Sequence, residues 1–399
     1  MKKVVALLLT GAMALSLVAC GGSASGSADA ASTASSDSKT VVIGVYEPQS
    51  GDNGAGGKQE ILGMQYANSK TPTVTVNGEE YNVELKIVDN ESSTDKAVSA
   101  ATELISAGSA VVLGSYGSGV SIAASDTFAE AGLAAIGVTC TNPQVTEGND
   151  HYFRICFLDP FQGTVQANFA HDELGASTVY CLGQLGNDYD QGLINYFKQA
   201  AEALGMTVIT ESFPENNSDF TSYLTNAKNQ GAEAIFAPTS ISYAQLIIEQ
   251  ASSQGIEIPL LAPDTWDSNV NIDAAQGTNL DIYVSTFYAE GGDADFEAGF
   301  KEYLNANSEA LTNNGGNDMI AAVSVMGYDA YYTALAAIEA AGSVDKADIK
   351  AALPSVSYTG VSGAISFDAT GDAVRDTAFI KKANTETASW DFIAAQKVQ

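Results

Sequence analysis

Short apolar runs alternate with longer helical patterns through most of the chain. Residues 41–46 (VVIGVY) form one such run, and a glycine-rich loop and a helical pattern at residues 58–68 follow it. An apolar run without polar alternation is typical of a strand that is buried on both faces, as in parallel sheets. The beginning of the globular region therefore predicts a strand, a loop and a helix.

A hairpin is predicted next. Residues 74–76 are separated by Asn77-Gly78 from the alternating apolar positions that run from Val83 to Ile87. An Asn-Gly dipeptide suits a two-residue turn with two positive φ angles, so the two segments should pair as antiparallel strands.

The alternation of strand and helix then repeats. Further strand-like runs lie at residues 110–114, 133–137, 178–182, 207–209, 234–237 and 258–261. Helical patterns accompany them at residues 95–107, 121–131, 161–174, 189–204, 220–230 and 243–254. This rhythm predicts an α/β protein with parallel sheets covered by helices on both faces, and 399 residues are enough for two such sheets.

The last third of the chain is less regular. It predicts a strand at residues 282–287, helices at 294–305 and 318–341, and strands at 365–367 and 378–380. These elements are too few for a third sheet, so they are expected to complete the two sheets already begun.

The amino terminus has the pattern of an export signal. A charged Met1-Lys2-Lys3 precedes the apolar residues 4–19, and the run ends Leu17-Val18-Ala19-Cys20. This ending resembles the bacterial lipobox, which makes Cys20 a lipid attachment site; an ordinary signal peptide with a coincidental cysteine is the alternative. Residues 1–19 are thus predicted as a signal peptide and residues 20–39, rich in Ser, Gly and Ala, as a flexible tether.

Composition excludes several classes of function. The chain has 17 Lys and Arg against 48 Asp and Glu, a net charge of −31, which would repel nucleic acid and anionic lipid surfaces. Two histidines and four cysteines, without a C-x-x-C pair, are too few soft ligands for zinc or an iron–sulfur cluster. We expect no metal and no cofactor. Of the cysteines that follow Cys20, an odd number, at least one should remain a thiol.

Two glycine-rich segments fail as catalytic or nucleotide motifs. Residues 51–59 lack the spacing of a phosphate-binding loop, and residues 114–119 contain no G-x-S-x-G window. The second segment nevertheless places the Ser118 hydroxyl and freely accessible backbone N–H groups at the start of a predicted helix. Such a position suits a carboxylate, although a tight turn with a Ser cap explains it equally well.

Polar residues also follow other predicted strands. Thr139 and Thr141 should emerge at the same sheet edge as Ser118, where two adjacent loops could hold one carboxylate. Asp264 follows the strand at residues 258–261 and could bind an ammonium group, with a turn-capping role as the alternative. No credible nucleophile and base pair is present, so we do not expect an enzyme.

Landmarks in order along the chain carry a family resemblance. They are Ile43-Gly44-Val45, Pro48-Gln49-Ser50-Gly51, Thr141-Asn142-Pro143, residues 153–163, Asp188-Tyr189, residues 264–268 and Gly327-Tyr328-Asp329-Ala330. From Val41 almost to the end, the chain resembles the solute-binding lipoproteins of ABC importers, specifically the branched-chain amino-acid-binding family. The resemblance implies the type I periplasmic-binding-protein fold: two doubly wound parallel-sheet lobes, joined by three crossovers, that close on a ligand.

The same resemblance implies how the chain is divided. Residues 41–158 with 287–358 should form the first lobe, and residues 159–286 with 359–399 the second. The crossings are then expected near Asp159, Thr286 and Thr359.

It also implies a ligand site. Ser118, with Tyr116 and Gly117 beside it, and Thr139 and Thr141 fall on the positions that hold the carboxylate of an amino acid. Tyr189 falls on an aromatic position of the second lobe, and Asp264 on the acid that binds the ammonium group. Gly56 and Ser240 stand at or near places where relatives often carry aromatic rings. Both changes are expected to enlarge the pocket or to remove apolar walls.

The implied function is that of an extracytoplasmic substrate-binding protein. It would capture a branched-chain, other apolar or aromatic amino acid and deliver it to an ABC permease and its ATPase. We expect a monomer, anchored only by lipid to the outer face of the bacterial cytoplasmic membrane. The alternatives are a binding protein for short amides or urea and a sensory receptor of the same fold.

Overall fold

The computed structural model describes residues 39–397. The predicted signal peptide and Cys20, and all of the predicted tether except Lys39, lie outside the described residues. Within residues 39–397 the chain forms two large sheets and one small sheet, and no helix there is long and apolar enough to cross a membrane.

The first large sheet is parallel except at one edge. In spatial order its strands are β2 (Thr73–Val76), β3 (Glu79–Asp89), β1 (Thr40–Glu47), β4 (Val111–Leu113), β5 (Ala135–Gly137) and β6 (Tyr152–Arg154). The pair β2 and β3 is antiparallel, and the remaining neighbours are parallel. Asn77 and Gly78 in the turn have φ angles of 52° and 81°, which confirms the predicted hairpin.

The second large sheet is also mostly parallel. Its strands, in spatial order, are β15 (Ser389–Lys397), β14 (Thr377–Asn384), β11 (Ile282–Thr286), β10 (Leu260–Ala262), β9 (Ala234–Phe236), β7 (Thr178–Gln184) and β8 (Thr207–Phe213). The pairing is parallel from β11 to β8, and β14 and β15 add two antiparallel strands at one edge. The predicted strand at residues 378–380 therefore does complete this sheet.

Helices accompany both sheets. They are α1 (Gly54–Lys70), α2 (Thr94–Ser106), α3 (Ser118–Glu130), α4 (Asp159–Asn168), α5 (Asp188–Ala203), α6 (Thr221–Asn229), α7 (Ile241–Ser253), α8 (Asn269–Ala275), α9 (Ala294–Ala306), α10 (Ser308–Asn313), α11 (Ala322–Ala341) and α12 (Lys346–Ala352). The first of them begins four residues before the predicted start at residue 58.

Both faces of each sheet are covered, as the apolar strands predicted. In β4, Val111 and Leu113 belong to the core cluster that contains Met64 of α1 and Ile338 of α11. Val112 points to the opposite face, in the cluster that α2 and α3 complete. The second sheet divides in the same way between α4 and α5 on one face and α6, α7 and α8 on the other. We call each sheet with its covering helices a lobe.

The backbones of α1 and α11 approach each other closely. A Cβ atom on Gly63 would lie 1.9 Å from the Ser324 carbonyl oxygen, and one on Gly327 would lie 2.2 Å from the Glu60 carbonyl oxygen. The Ser324 hydroxyl also donates to the Gln59 carbonyl over 2.7 Å. This glycine-mediated contact fixes the position of α1 in the first lobe.

One expectation about the last third of the chain is wrong. The strand predicted at residues 365–367 does not join either large sheet; β12 (Ser357–Gly360) and β13 (Gly363–Ser366) form a separate antiparallel hairpin. Its turn is bound to α11, because Asp329 accepts hydrogen bonds from the N–H groups of Val361 (2.9 Å) and Ser362 (2.7 Å). This helix contact, distant in sequence, decides where the hairpin lies.

Candidate ligand-binding site

A cleft of about 590 Å³ lies between loops that follow strands of the two sheets. Five of the predicted site residues line it: Tyr116, Gly117, Ser118, Tyr189 and Ser240. The other three, Thr139, Thr141 and Asp264, are buried and do not line this cleft, and of these Asp264 is bonded to the cleft residue Tyr189.

Ser118 begins α3, and Gly117 precedes it as the helix cap. The Ser118 Oγ accepts a hydrogen bond from the Asn142 N–H over 3.2 Å, which joins this loop to the one that follows β5. That bond uses a lone pair of Ser118 rather than its hydrogen. The hydroxyl hydrogen and the first N–H groups of α3 can therefore serve an anionic oxygen.

The two threonines of the neighbouring loop differ in their partners. The Thr139 hydroxyl donates to Glu60 Oε1, so it offers only lone pairs to any further group. The Thr141 Oγ1 is buried and has no hydrogen-bond partner within residues 39–397. Of this pair, Thr141 is the hydroxyl that remains able to donate to a carboxylate.

Arg154 supports the loop that follows β5, and the sequence analysis did not identify it as a site residue. Its fully buried guanidinium donates to the carbonyl oxygens of Cys140 (3.0 Å) and Asn142 (2.5 Å) and pairs with Asp372 (2.5 Å). Since these partners occupy the guanidinium, Arg154 supports the loop and does not supply a charge for a ligand.

The second lobe contributes an aromatic hydroxyl and an acid. The Asn187 side chain caps α5 by accepting from the N–H of Tyr189 over 3.1 Å, and the Tyr189 hydroxyl donates to Asp264 Oδ1 over 2.8 Å. Burial raises the pKa of Asp264 to about 6, while hydrogen bonds from Tyr189 and Gln162 oppose the rise. This carboxylate is desolvated and poised for a cationic partner.

A buried ion pair stabilises the loop that carries Asp264. Lys381 of β14 lies 2.9 Å from Asp267 Oδ2, and the Thr286 hydroxyl donates to the same oxygen over 2.5 Å. The Lys381 charge is therefore neutralised by Asp267 and is not directed at Asp264.

Three further buried acids were missed by the sequence analysis: Glu47, Glu60 and Asp159. Glu47 Oε2 accepts from the Tyr116 N–H over 2.7 Å. Burial and the neighbouring Glu60 raise the pKa of Glu47, and burial raises that of Glu60 to about 7. An available signal was that Glu47 ends an apolar strand at the sheet edge from which the loops of Ser118 and Thr139 also emerge.

Asp159 begins α4 and is fully buried. Burial raises its pKa to about 7, and the nearby Thr141 hydroxyl partly opposes the rise although it lacks the geometry of a full hydrogen bond. Neither carboxyl oxygen of Asp159 has a hydrogen-bond partner in the described part of the chain. The side of the site formed by the second lobe thus holds two desolvated acids, Asp159 and Asp264.

The expected enlargement at Gly56 is wrong. A Cβ atom on Gly56 would lie 2.3 Å from Cε2 of Tyr116, so the ring of Tyr116 occupies the space that a side chain at position 56 would fill. The same ring belongs to an apolar cluster with Ile241 and Val323. The missing aromatic wall is supplied from a different loop.

Ser240 lines the cleft but is engaged by the other lobe. Its Oγ accepts from Asn53 Nδ2 over 3.3 Å, and Asn53 Oδ1 accepts from the Ile241 N–H over 3.2 Å. The Ser242 hydroxyl also donates to Asp52 over 2.7 Å. Residues 52–53 of the first lobe therefore cap α7 of the second.

Cys140, Cys156 and Cys181 are all buried and unpaired. Within residues 39–397, no group of three or more His, Cys, Asp or Glu side chains is arranged to hold a metal ion.

The chain is similar to known binding proteins over most of its length. A family model described as periplasmic binding protein matches residues 40–387. The Leu/Ile/Val-binding protein homolog 1 of Brucella suis is 27% identical over 337 residues, which cover 83% of this chain and 87% of that protein.

Solved structures agree in fold. A leucine-binding protein from Thermotoga maritima has a TM-score of 0.79 and 30% identity, with 90% of this chain and 99% of that chain covered. A branched-chain amino acid transporter substrate-binding protein from Streptococcus pneumoniae, determined in complex with isoleucine, has a TM-score of 0.77 and 26% identity, with the same coverage.

Proposed function

We propose, because this chain belongs to the periplasmic binding protein family, that it is the substrate-binding protein of an ABC importer and captures a free amino acid between its lobes. Relatives named for leucine, isoleucine and valine favour a branched-chain or other apolar or aromatic amino acid. The observation that carries the proposal is that hydrogen-bond donors lie on one lobe and a buried carboxylate lies on the other. Ser118 and Thr141 offer donors on the first lobe, and Asp264 offers a desolvated carboxylate on the second.

A zwitterion matches this arrangement. Its carboxylate accepts from the two hydroxyls and from the start of α3, and its ammonium group faces Asp264, which Tyr189 orients. Ligand contacts with both lobes favour the closed over the open arrangement, and this difference in affinity is what drives closure.

The lobes are proposed to be residues 41–158 with 287–375 and residues 159–286 with the remainder of the chain. The turn of the β12–β13 hairpin is bound to α11, and Asp372 and Arg375 are bonded to Arg154 and to the Ile155 carbonyl, so we place the third crossing just before β14 rather than near Thr359. The other two crossings stay near Asp159 and Thr286.

Delivery to the importer requires a location outside the cytoplasm, which the family implies. We further propose that Cys20 is lipidated and that residues 20–39 tether a monomeric body to the outer face of the cytoplasmic membrane. The partners of the loaded protein are then the permease and its ATPase.

The experiment that tests the function is a ligand panel on the purified body, residues 39–399. Thermal unfolding and calorimetry are measured with the twenty amino acids, short amides and urea, and each mixture is then analysed for chemical change. We expect stabilisation by a small set of apolar amino acids, with each ligand recovered intact. Binding of amides or urea alone would support the alternative ligand class, and a new product would contradict a binding function.

A further inference from the structure

Glu60 is a fully buried acid with no cation beside it. It lies on α1, whose close contact with α11 at Gly63 and Gly327 leaves the helix little freedom to withdraw the side chain. The two cationic side chains that are buried among residues 39–397 are committed elsewhere, Arg154 to Asp372 and Lys381 to Asp267. An uncompensated buried acid is costly, and a charge partner from a ligand is one way in which such a cost is offset.

Glu47 can fix the protonation state of Glu60 by holding the proton that the two carboxyl groups share. Each of the two carboxyl groups affects the pKa of the other, and Glu47 Oε1 and Glu60 Oε2 have no hydrogen-bond partner among residues 39–397. One proton satisfies both atoms if Glu47 holds it and donates it to Glu60. Burial raises the pKa of both carboxyl groups, which agrees with one proton held between them.

Glu60 also interacts with two of the predicted ligand residues. It takes the hydrogen of Thr139 and lies within electrostatic range of Asp264 across the two lobes. The unpartnered Thr141 hydroxyl and the unpartnered carboxyl of Asp159 are buried in this region as well. A ligand bound between the lobes would supply partners for these polar atoms.

We propose that Glu60 is a second ammonium-binding acid, contributed by the first lobe, and that Glu47 is a positioning residue that donates a hydrogen bond to it. An ammonium group has three N–H donors. Asp264, Glu60 and the lone pairs of Thr139 supply three acceptors, one acid coming from each lobe. The inference rests on the proposed binding of an amino acid and specifies which groups hold its cationic end.

The test compares L-leucine with 2-hydroxy-4-methylpentanoate, which keeps the carboxylate and the side chain but has a hydroxyl in place of the ammonium group. Calorimetry is done on the wild type, on Glu60→Gln and on Glu84→Gln, a matched change at an exposed position of β3. We expect Glu60→Gln to weaken leucine binding by about tenfold or more and to leave the hydroxy acid nearly unaffected, so that discrimination falls. Glu84→Gln should change neither.

Two further variants keep the proposal testable. Glu47→Gln retains an N–H donor to Glu60 and should discriminate nearly as the wild type does. Glu60→Asp shortens the acid by one methylene, so discrimination should fall less than in Glu60→Gln; it replaces that variant if the latter does not fold.

The outcomes separate this inference from the proposed function. Leucine binding by the wild type together with unchanged discrimination in the Glu60 variants overturns the role of Glu60 alone. Failure of the wild type to bind any of the twenty amino acids overturns the function and this inference together.

Discussion

The hydroxyl of Tyr189 donates to Oδ1 of Asp264 over 2.8 Å, and both side chains are almost completely buried. Tyr189 lines the cleft, whereas Asp264 lies behind it. The bond thereby connects the surface that a ligand first meets with the carboxylate proposed to hold its ammonium group.

Replacement of Asp264 by Asn should weaken amino-acid binding by roughly 2–5 kcal/mol, because the ligand's cation then loses a desolvated charge partner. Stability without ligand should change little, since the amide remains able to accept from Tyr189. Calorimetry with the best ligand measures the loss, and Asp273→Asn on the exposed side of α8 is the matched control. Equal affinities in the three proteins would assign Asp264 a turn-capping role only.

Asp159 should make stability depend on pH. Burial raises its pKa from 3.8 to about 7, so between these values the folded state binds a proton that the unfolded state has lost. This contribution to the free energy of unfolding is therefore lost as pH rises through about 4 to 7. Asp159→Asn mimics the protonated form and removes the dependence.

The measurement is urea unfolding of the ligand-free body at pH 5 and pH 7. The free energy of unfolding of Asp159→Asn minus that of the wild type should be about 1–3 kcal/mol larger at pH 7 than at pH 5. Asp295→Asn, at an exposed position of α9, should show no such trend. A constant difference between Asp159→Asn and the wild type at both pH values would argue against a neutral Asp159.

Gly56→Ala should destabilise the protein by about 1–3 kcal/mol, because its Cβ would overlap the ring of Tyr116. Combining it with Tyr116→Ala removes the overlap, so the two changes should be non-additive in a double-mutant cycle. Gly119→Ala, whose Cβ would have its nearest neighbour at 3.6 Å, is the control and should be tolerated. Additive losses would mean that the two residues do not compete for the same space.

Arg154→Lys should cost about 3–5 kcal/mol in urea unfolding, since a lysine cannot reproduce the paired and forked bonds to Asp372 and to the loop carbonyls. Ligand affinity should fall as well, because the loop of Thr141 loses its support. The surface ion pair of the half-buried Lys350 and the exposed Asp150 provides a comparison, and Lys350→Ala should cost well under about 1 kcal/mol. Similar losses in both variants would contradict a special role of Arg154.

Cys20→Ala should abolish incorporation of labelled fatty acid in cells and release the exported protein from the membrane. Affinity for the ligand should not change, since Cys20 precedes every element of the described body. Cys181→Ala, which alters a buried strand residue, should still be labelled. Labelling of the Cys20→Ala protein would refute the lipobox assignment.

Local patterns were sufficient to predict much of the fold. The apolar run of β1 and the Asn77-Gly78 turn specify a buried strand and a hairpin from adjacent residues, and both are present. The hairpin at residues 357–366 could not be placed in this way, because its position depends on Asp329, about thirty residues earlier.

Part of the candidate site could be predicted in the same way. Ser118 and Thr139 follow neighbouring strands of the first sheet and could be assigned to a common edge, because parallel strands end together. Asp264 could likewise be assigned to the corresponding edge of the second sheet. Glu60 could not, since it lies within a helix and reaches the site only through the packing of α1 against α11. The position of the Tyr116 ring over Gly56 also depends on tertiary packing, so the residue at position 56 alone could not predict it.

The capping of α7 by residues 52–53 gives the protein a built-in reporter of lobe separation. The N–H groups of Ile241 and Ser242 are bonded to Asn53 and Asp52 of the other lobe, over 3.2 Å and 3.1 Å, and not to their own helix. When the lobes part, these two amides lose their acceptors while the rest of α7 keeps its internal bonds. Their rates of hydrogen–deuterium exchange should therefore follow the opening of the cleft, without any label attached to the protein.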